Sequence, residues 1–217
     1  MQDLFDNLTA EGPASEWVGP ATLWLHGFVS EQADGLLQVL QPILKAAPLR
    51  HLLTPGGHRM SVAMTNCGDL GWVSDRRGYR YQRLDPVSGR PWPDMPQPFR
   101  AVASDAASQA GFPDFQPDVC LINRYRTGDK LSLHQDKDEA GYQHPIVSVS
   151  IGVPATFLLG GQQRSDPTVK LRLVHGDVLV WGGPDRLRFH GVQPLQPDRH
   201  PLTGTDRLNL TFRRARP

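Results

Sequence analysis

From about residue 117 onward the chain is a succession of short alternating segments: DVCLINRY, LSLHQD, IVSVSIG, ATFLLGG, VKLRLV, DVLVWGG, RLRFHGV and RLNLTFRR. Turn signals separate them at roughly even spacing. Period-two alternation between apolar and polar residues marks strands with one buried face. A run of such strands predicts an antiparallel sandwich or jelly roll.

The first half has a different character. Residues 1–20 read as poorly ordered or loosely docked. ATLWLHGF (21–28) reads as a short strand. Ser30 is expected to cap a helix carrying Leu36, Leu37, Leu40 and Leu44 on one face, kinked at Pro42. TPGG (54–57) is a turn between two extended pieces, the second being MSVAMTN (60–66). The stretch 70–99, rich in Arg, aromatics, Gly and Pro, reads as a surface hairpin followed by a long loop. RAVASDAASQAG (100–111) predicts a small-residue helix ending at a Gly cap.

The 217 residues suit one domain, or one domain with a sizeable extension. Twenty prolines and 21 glycines argue against a helical bundle. The formal charge of +1 gives no global pull toward nucleic acid, so any such affinity must come from a local basic patch. Cys67 and Cys120 lack zinc-type spacing and read as reduced thiols of a cytosolic protein. The N-terminal stretch lacks the basic and apolar regions of a signal peptide, and no run approaches a membrane span.

Chemistry enters at LSLHQD. His134 and Asp136 are two apart, so on a strand they point the same way. His190 in RLRFHGV alternates with Leu187 and Phe189 and is expected on the face opposite to them. Two histidines and one carboxylate are the facial triad of non-haem Fe(II) oxygenases, which leaves coordination positions for a cosubstrate and O2. H-x-D alone is weak evidence, since a solvated strand end would look the same. His175-Gly-Asp177 repeats the pattern as a decoy. Its Gly and the following VLVW read as a turn entering a buried strand, and its downstream His200 lies in a Pro-rich loop. In the final strand Arg207, Asn209, Thr211 and Arg213 alternate with Leu208, Leu210 and Phe212. Burying two guanidinium groups is costly unless anions meet them, and a dicarboxylate would do so with bidentate geometry. Asn123 and Tyr125 share one face of LINRY and could bond the same ligand.

With H-x-D…H and R-x-N-x-T-F-R in order, the sequence resembles the Fe(II)/2-oxoglutarate dioxygenases, specifically the AlkB family of nucleic-acid demethylases. TPGG, MSVAMTNCG, LGW, PDFQPD, CLINRY, KLSLHQDKDE, PIVSVS, HGDV, VWGG and NLTFR carry the likeness over most of the chain. The resemblance implies a mainly β (α+β) fold. A double-stranded β-helix, or jelly roll, would occupy 116–217, and an N-terminal extension, 1–115, would carry helices and a nucleotide-recognition lid at about 48–93. It implies His134, Asp136 and His190 as Fe(II) ligands, and 2-oxoglutarate contacts from Asn123, Arg124, Tyr125, Arg207, Asn209 and Arg213. Substrate contacts would come from Thr54, Met64, Trp72, Tyr79, Arg80, Tyr81, Lys130, Asp138 and Arg164. Trp72 would stack on a flipped base and Asp138 would meet the exocyclic amine of a methylated adenine or cytosine. The implied activity is oxidative N-demethylation of DNA, with RNA left open, using O2 and releasing formaldehyde, succinate and CO2, by a cytoplasmic monomer.

His58, Arg188 and Leu208 stand where the family pattern has Tyr, Phe and Tyr, and AGYQHP (140–145) also departs from it. None touches the expected metal or cosubstrate set. A cupin-like hydrolase or isomerase would have no use for two arginines on one polar strand face. A silent nucleic-acid-binding module would have no use for three iron ligands. A family member acting on protein or lipid fits the Arg-rich ribbon and Asp138 poorly. The preferred lesion, DNA against RNA, and single against double strand stay open.

Overall fold

The computed structural model describes residues 14–216. The elements run β1 (Ser15–Gly19), β2 (Thr22–Leu25), α1 (Ala33–Ala46), β3 (Arg50–Leu53), β4 (Arg59–Gly68), β5 (Gly71–Asp75), β6 (Gly78–Gln82), α2 (Gln97–Gln109), β7 (Val119–Tyr125), β8 (Leu131–His134), β9 (Ile146–Gly152), β10 (Ala155–Leu159), β11 (Val169–Leu173), β12 (Val178–Trp181), β13 (His190–Val192) and β14 (Arg207–Arg213). A large sheet has the order β1-β2-β12-β9-β14-β7-β4-β3, and a smaller one β11-β10-β13-β8. All their pairings are antiparallel. β5 and β6 form a separate hairpin. Strands from both sides of residue 116 share the large sheet.

Alternation assigns the two faces of that sheet. Cys120 and Ile122 of β7 and Leu208, Leu210 and Phe212 of β14 pack with Leu36, Leu40 and Ile43 of α1 and Phe99, Val102 and Ala106 of α2. The opposite face carries Leu121 and Tyr125, which join Phe157, Leu159, Leu171, Leu173 and Val192 of the small sheet in a second core. The helices therefore seal one face of the large sheet and leave the space between the sheets for the polar residues of β14.

Local differences from the sequence-based expectations have physical causes. Ser15–Gly19 pairs with β2 instead of lying loose, and residues 1–13 of that expectation fall outside the described part. α1 starts at Ala33 with no side-chain cap, because Ser30 belongs to a turn packed against Gly176. The helix continues through Pro42 to Ala46. α2 starts earlier than expected, at Gln97 after Pro96, and ends as expected. Gly111, at φ +87°, donates to Ser108 O and Phe112 donates to Ala107 O, the paired closure of a left-handed glycine cap. β13 begins only at His190. Arg186 and Arg188, expected within that strand, instead bind backbone carbonyls outside it. Cys67 and Cys120 are free, buried and register partners on β4 and β7.

Candidate metal and cosubstrate site

The register of β8 against β13 builds the metal cluster. His134 and His190 are direct partners, followed by an irregularity in which Val192 faces Leu131. Gly191 makes the close approach possible, since a Cβ there would lie 2.7 Å from Leu131 O. The two imidazole centroids are 4.4 Å apart. Asp136, just beyond β8, turns back so that its oxygens lie 3.7 Å from each Nε2. The ligand atoms of all three lie within 4.8 Å of one another, and this is the one such cluster found among the described residues.

Hydrogen bonds set the ring orientations. His134 Nδ1 lies 2.9 Å from Ser132 O and His190 Nδ1 3.0 Å from Arg188 O. A carbonyl only accepts, so each Nδ1 carries the proton and each Nε2 lone pair faces the cluster. Desolvation, and then the neighbouring His190, push His134 down to about 4, which keeps it neutral and able to ligate. Burial would raise Asp136, but Arg213 and the two histidines hold it well below the usual carboxylate range. It is ionised, as a ligand must be.

β14 and β7 supply the anion-binding side. Their register sets Arg207 opposite Tyr125 and Asn209 opposite Asn123. Arg207 is buried without a carboxylate partner among the described residues, and its Nη2 donates to Ser150 Oγ at 2.7 Å. Burial lowers its pKa from 12.5 to about 10. Arg213 donates to Asp136 Oδ2 through Nη2 (2.6 Å) and Nε (3.0 Å). Arg207 Nε and Arg213 Nη1 are buried without hydrogen-bond partners. Buried donors left unpaired await an acceptor, and a dicarboxylate beside a divalent metal fits them. The cluster and these donors line one cavity of about 880 Å³.

The same wall includes Thr54, Met64, Trp72, Tyr79, Asn123, Tyr125, Lys130, Asp138, Arg164 and Asn209. Trp72 Nε1 donates to Asp138 Oδ2 at 2.8 Å, and Trp72 and Tyr79 stack at 5.5 Å. Arg164 lies over Phe189 and donates to Leu133 O. Three sequence-named residues are not part of the wall. Arg80 is held by Asp75 within its own hairpin. Tyr81 donates to Glu139 Oε1 at 2.8 Å. Arg124 lies on the other face of β7, with Asp206 3.9 Å away. The sequence reading missed the buried Glu139 and Arg186, which pair at 3.1 Å. The decoy is a turn: Asp177 accepts from Trp24 Nε1, Gly27 N and Val174 N, and His175 Nδ1 accepts from Gly152 N. Of the departures, His58 is exposed, Leu208 packs under the helices, and Arg188 binds Gly160 O and pairs with Asp185.

A histidine–carboxylate–histidine cluster facing two buried arginines that keep unpaired N–H donors, inside a double sheet, defines a non-haem metal site that takes an anionic cosubstrate. Comparison with known proteins agrees. A model of the 2OG-Fe(II) oxygenase superfamily matches residues 21–213. The chain is 53% identical over 215 residues to the alpha-ketoglutarate-dependent dioxygenase AlkB of Escherichia coli, covering 99% of this chain and 98% of that protein. The DNA N(6)-methyladenine demethylase ALKBH1C of Arabidopsis thaliana is 36% identical over 170 residues, 66% of this chain and 37% of that one. The solved structure of OsALKBH1 superposes with a TM-score of 0.79 at 30% identity, covering 93% of this chain and all of that one. The chain belongs to the AlkB family of the 2OG-Fe(II) oxygenase superfamily. It is a dioxygenase dependent on Fe(II), 2-oxoglutarate (α-ketoglutarate) and O2. No helix among the described residues is long and apolar enough to cross a membrane.

Proposed function

We propose that this dioxygenase removes N-linked methyl groups from nucleic-acid bases of the 1-methyladenine and 3-methylcytosine type, in DNA with RNA as the alternative strand to be assayed beside it, as a cytoplasmic monomer. The observation that carries the substrate half is the meeting of Trp72, on the β5–β6 hairpin, with Asp138 in the wall of the metal cavity. A flat aromatic ring with a carboxylate at its edge suits a flat, amine-bearing, cationic base. A methyl group on a pairing edge is hidden inside a duplex, so the base must leave the stack. A lesion that cannot pair lowers the cost of doing so.

In this reading the β5–β6 hairpin, within the expected lid of 48–93, covers the cavity, while β3 and β4 of that span extend the large sheet built by strands from 116–217. Trp72 and Tyr79 supply the stacking surface, and Asp138 accepts from the exocyclic amine. Met64 packs against the base, while Thr54, Lys130 and Arg164 meet the strand at the rim. Asp75 holds Arg80 and Glu139 holds Tyr81, which stiffens the hairpin and keeps its aromatic face in place. His134, Asp136 and His190 hold the iron, and Arg207 and Arg213 bind the carboxylates of 2-oxoglutarate, with Asn123, Tyr125 and Asn209 orienting them. The bound metal supplies O2 activation at the expense of the 2-oxo acid, and the protein positions the methyl group and keeps bulk water out. The hydroxylated methyl group then leaves as formaldehyde. Methylated single- and double-stranded oligonucleotides, incubated with Fe(II) and 2-oxoglutarate, should lose one methylene mass per lesion with stoichiometric formaldehyde. Turnover of 2-oxoglutarate with no change in any oligonucleotide would refute this substrate class.

A further inference from the structure

Behind the metal ligands lies a group of buried charges, of which Glu139 and Arg186 have no part in the reaction as described. Glu139 is buried, and no residue of this group sits in the cavity wall except Asp136 and Arg213. Arg213 Nε is 3.5 Å from Glu139 Oε1 while its other contact is Asp136. Arg186 Nη2 is 3.1 Å from Glu139 Oε2, and Arg186 Nη1 donates to the backbone oxygen of Asp136 at 2.7 Å. Tyr81 of the hairpin donates to Glu139 Oε1 at 2.8 Å. Two carboxylates and two guanidinium groups thus share one enclosed space with no net charge. Burial of ions is tolerated when each is paired, and their fields are strong where water is excluded.

The two cofactors of this site carry opposite charges. Arg213 bonds the same carboxylate that faces the metal, so it draws on the negative charge offered to a divalent cation while attracting a dicarboxylate. Glu139 is the countercharge behind it. We propose that Glu139 is a positioning residue whose fixed negative charge sets the balance between the two affinities, favouring the divalent metal and moderating the hold on 2-oxoglutarate. This rests on the reading that His134, Asp136 and His190 hold the metal and that Arg207 and Arg213 hold the dicarboxylate.

The test is binding, not turnover. Mn(II) affinity is measured by titration in the absence of cosubstrate, and 2-oxoglutarate affinity on the Mn(II)-loaded protein without O2. Glu139→Gln keeps the shape and removes the charge. It should weaken Mn(II) by about tenfold and tighten 2-oxoglutarate by a similar order. Arg186→Gln removes a positive charge from the same group and should shift both affinities the opposite way, so the rule remains readable if one variant does not fold. Loss of both affinities together in a folded variant marks a mere scaffold and overturns the proposal, as does no shift in either. The site reading has its own control, in which wild-type protein binds both probes and His134→Ala loses Mn(II). A failed control removes the site reading and the proposal with it. An intact control with unshifted variants removes the proposal alone.

Discussion

Replacing Arg207 by methionine separates an anion-binding arginine from a structural one. The side chain is buried, with Ser150 Oγ at 2.7 Å from Nη2 and Val153 O and Leu173 O at 3.3 and 3.5 Å from Nη1. No carboxylate among the described residues pairs with it. The burial that lowers its pKa from 12.5 to about 10 implies a desolvation cost on the order of 3 kcal/mol for holding the charge in the ligand-free protein. Methionine relieves that cost and forfeits the short bond to Ser150, roughly 1.5–3 kcal/mol for a charged donor, while the two long contacts of Nη1 add little. The two effects nearly cancel, so the ligand-free variant should melt within a few degrees of wild type. The ligand-bound state tells a different story. A dicarboxylate deprived of a buried charged partner loses about 2–5 kcal/mol, roughly 30- to 5,000-fold in affinity. Thermal shift with and without 2-oxoglutarate, on Mn(II)-loaded protein, reads both quantities in one experiment. A ligand-free variant destabilised by several kcal/mol that still binds 2-oxoglutarate normally would refute the reasoning, because Arg207 would then be a structural residue.

Gly191→Ala places a methyl group 2.7 Å from Leu131 O, so β8 and β13 must part. Stability should fall by about 1–3 kcal/mol, and Mn(II) affinity by tenfold or more in titrations, because the strands that part are those that set His134 against His190. His190→Ala should abolish turnover and metal binding in a folded protein, whereas His175→Ala, in the decoy turn, should lower the melting temperature at most; equal effects on Mn(II) binding would sink the metal assignment. Trp72→Ala should raise the apparent KM for a methylated oligonucleotide by about tenfold, given roughly 1–3 kcal/mol per stacked base. Asp138→Ala should slow repair of lesions that carry an exocyclic amine more than of those that lack one, with 2-oxoglutarate affinity unchanged; wild-type rates in both variants would end the substrate reading.

What was legible in the sequence is what alternation and order encode. β14 shows this best. Its apolar set, Leu208, Leu210 and Phe212, faces the helices, and its polar set faces the cavity, as period two requires. Alternation also puts Asn123 and Tyr125 on the cavity, and it overrules the contact expected of Arg124, which points away toward Asp206. The same rule failed at RLRFHGV. There the residues before His190 leave the strand, since Arg186 and Arg188 find carbonyl partners on other segments, and no local pattern announces partners so distant.

The illegible part is the charge group behind the metal. Glu139 and Arg186 are 47 positions apart in the chain and meet only because the β8 exit and the turn before β13 close on each other. Asp138 and Glu139 are neighbours of the same chemical type, and nothing in the sequence separates their roles. The backbone does so by turning between them. Asp138 is left exposed at the cavity rim beneath Trp72, and Glu139 is buried between two arginines. One carboxylate can thus meet a base while the next can act only through the charges around it. That difference is why Asp138→Ala should change which lesion is repaired, and why Glu139→Gln should change how metal and cosubstrate bind.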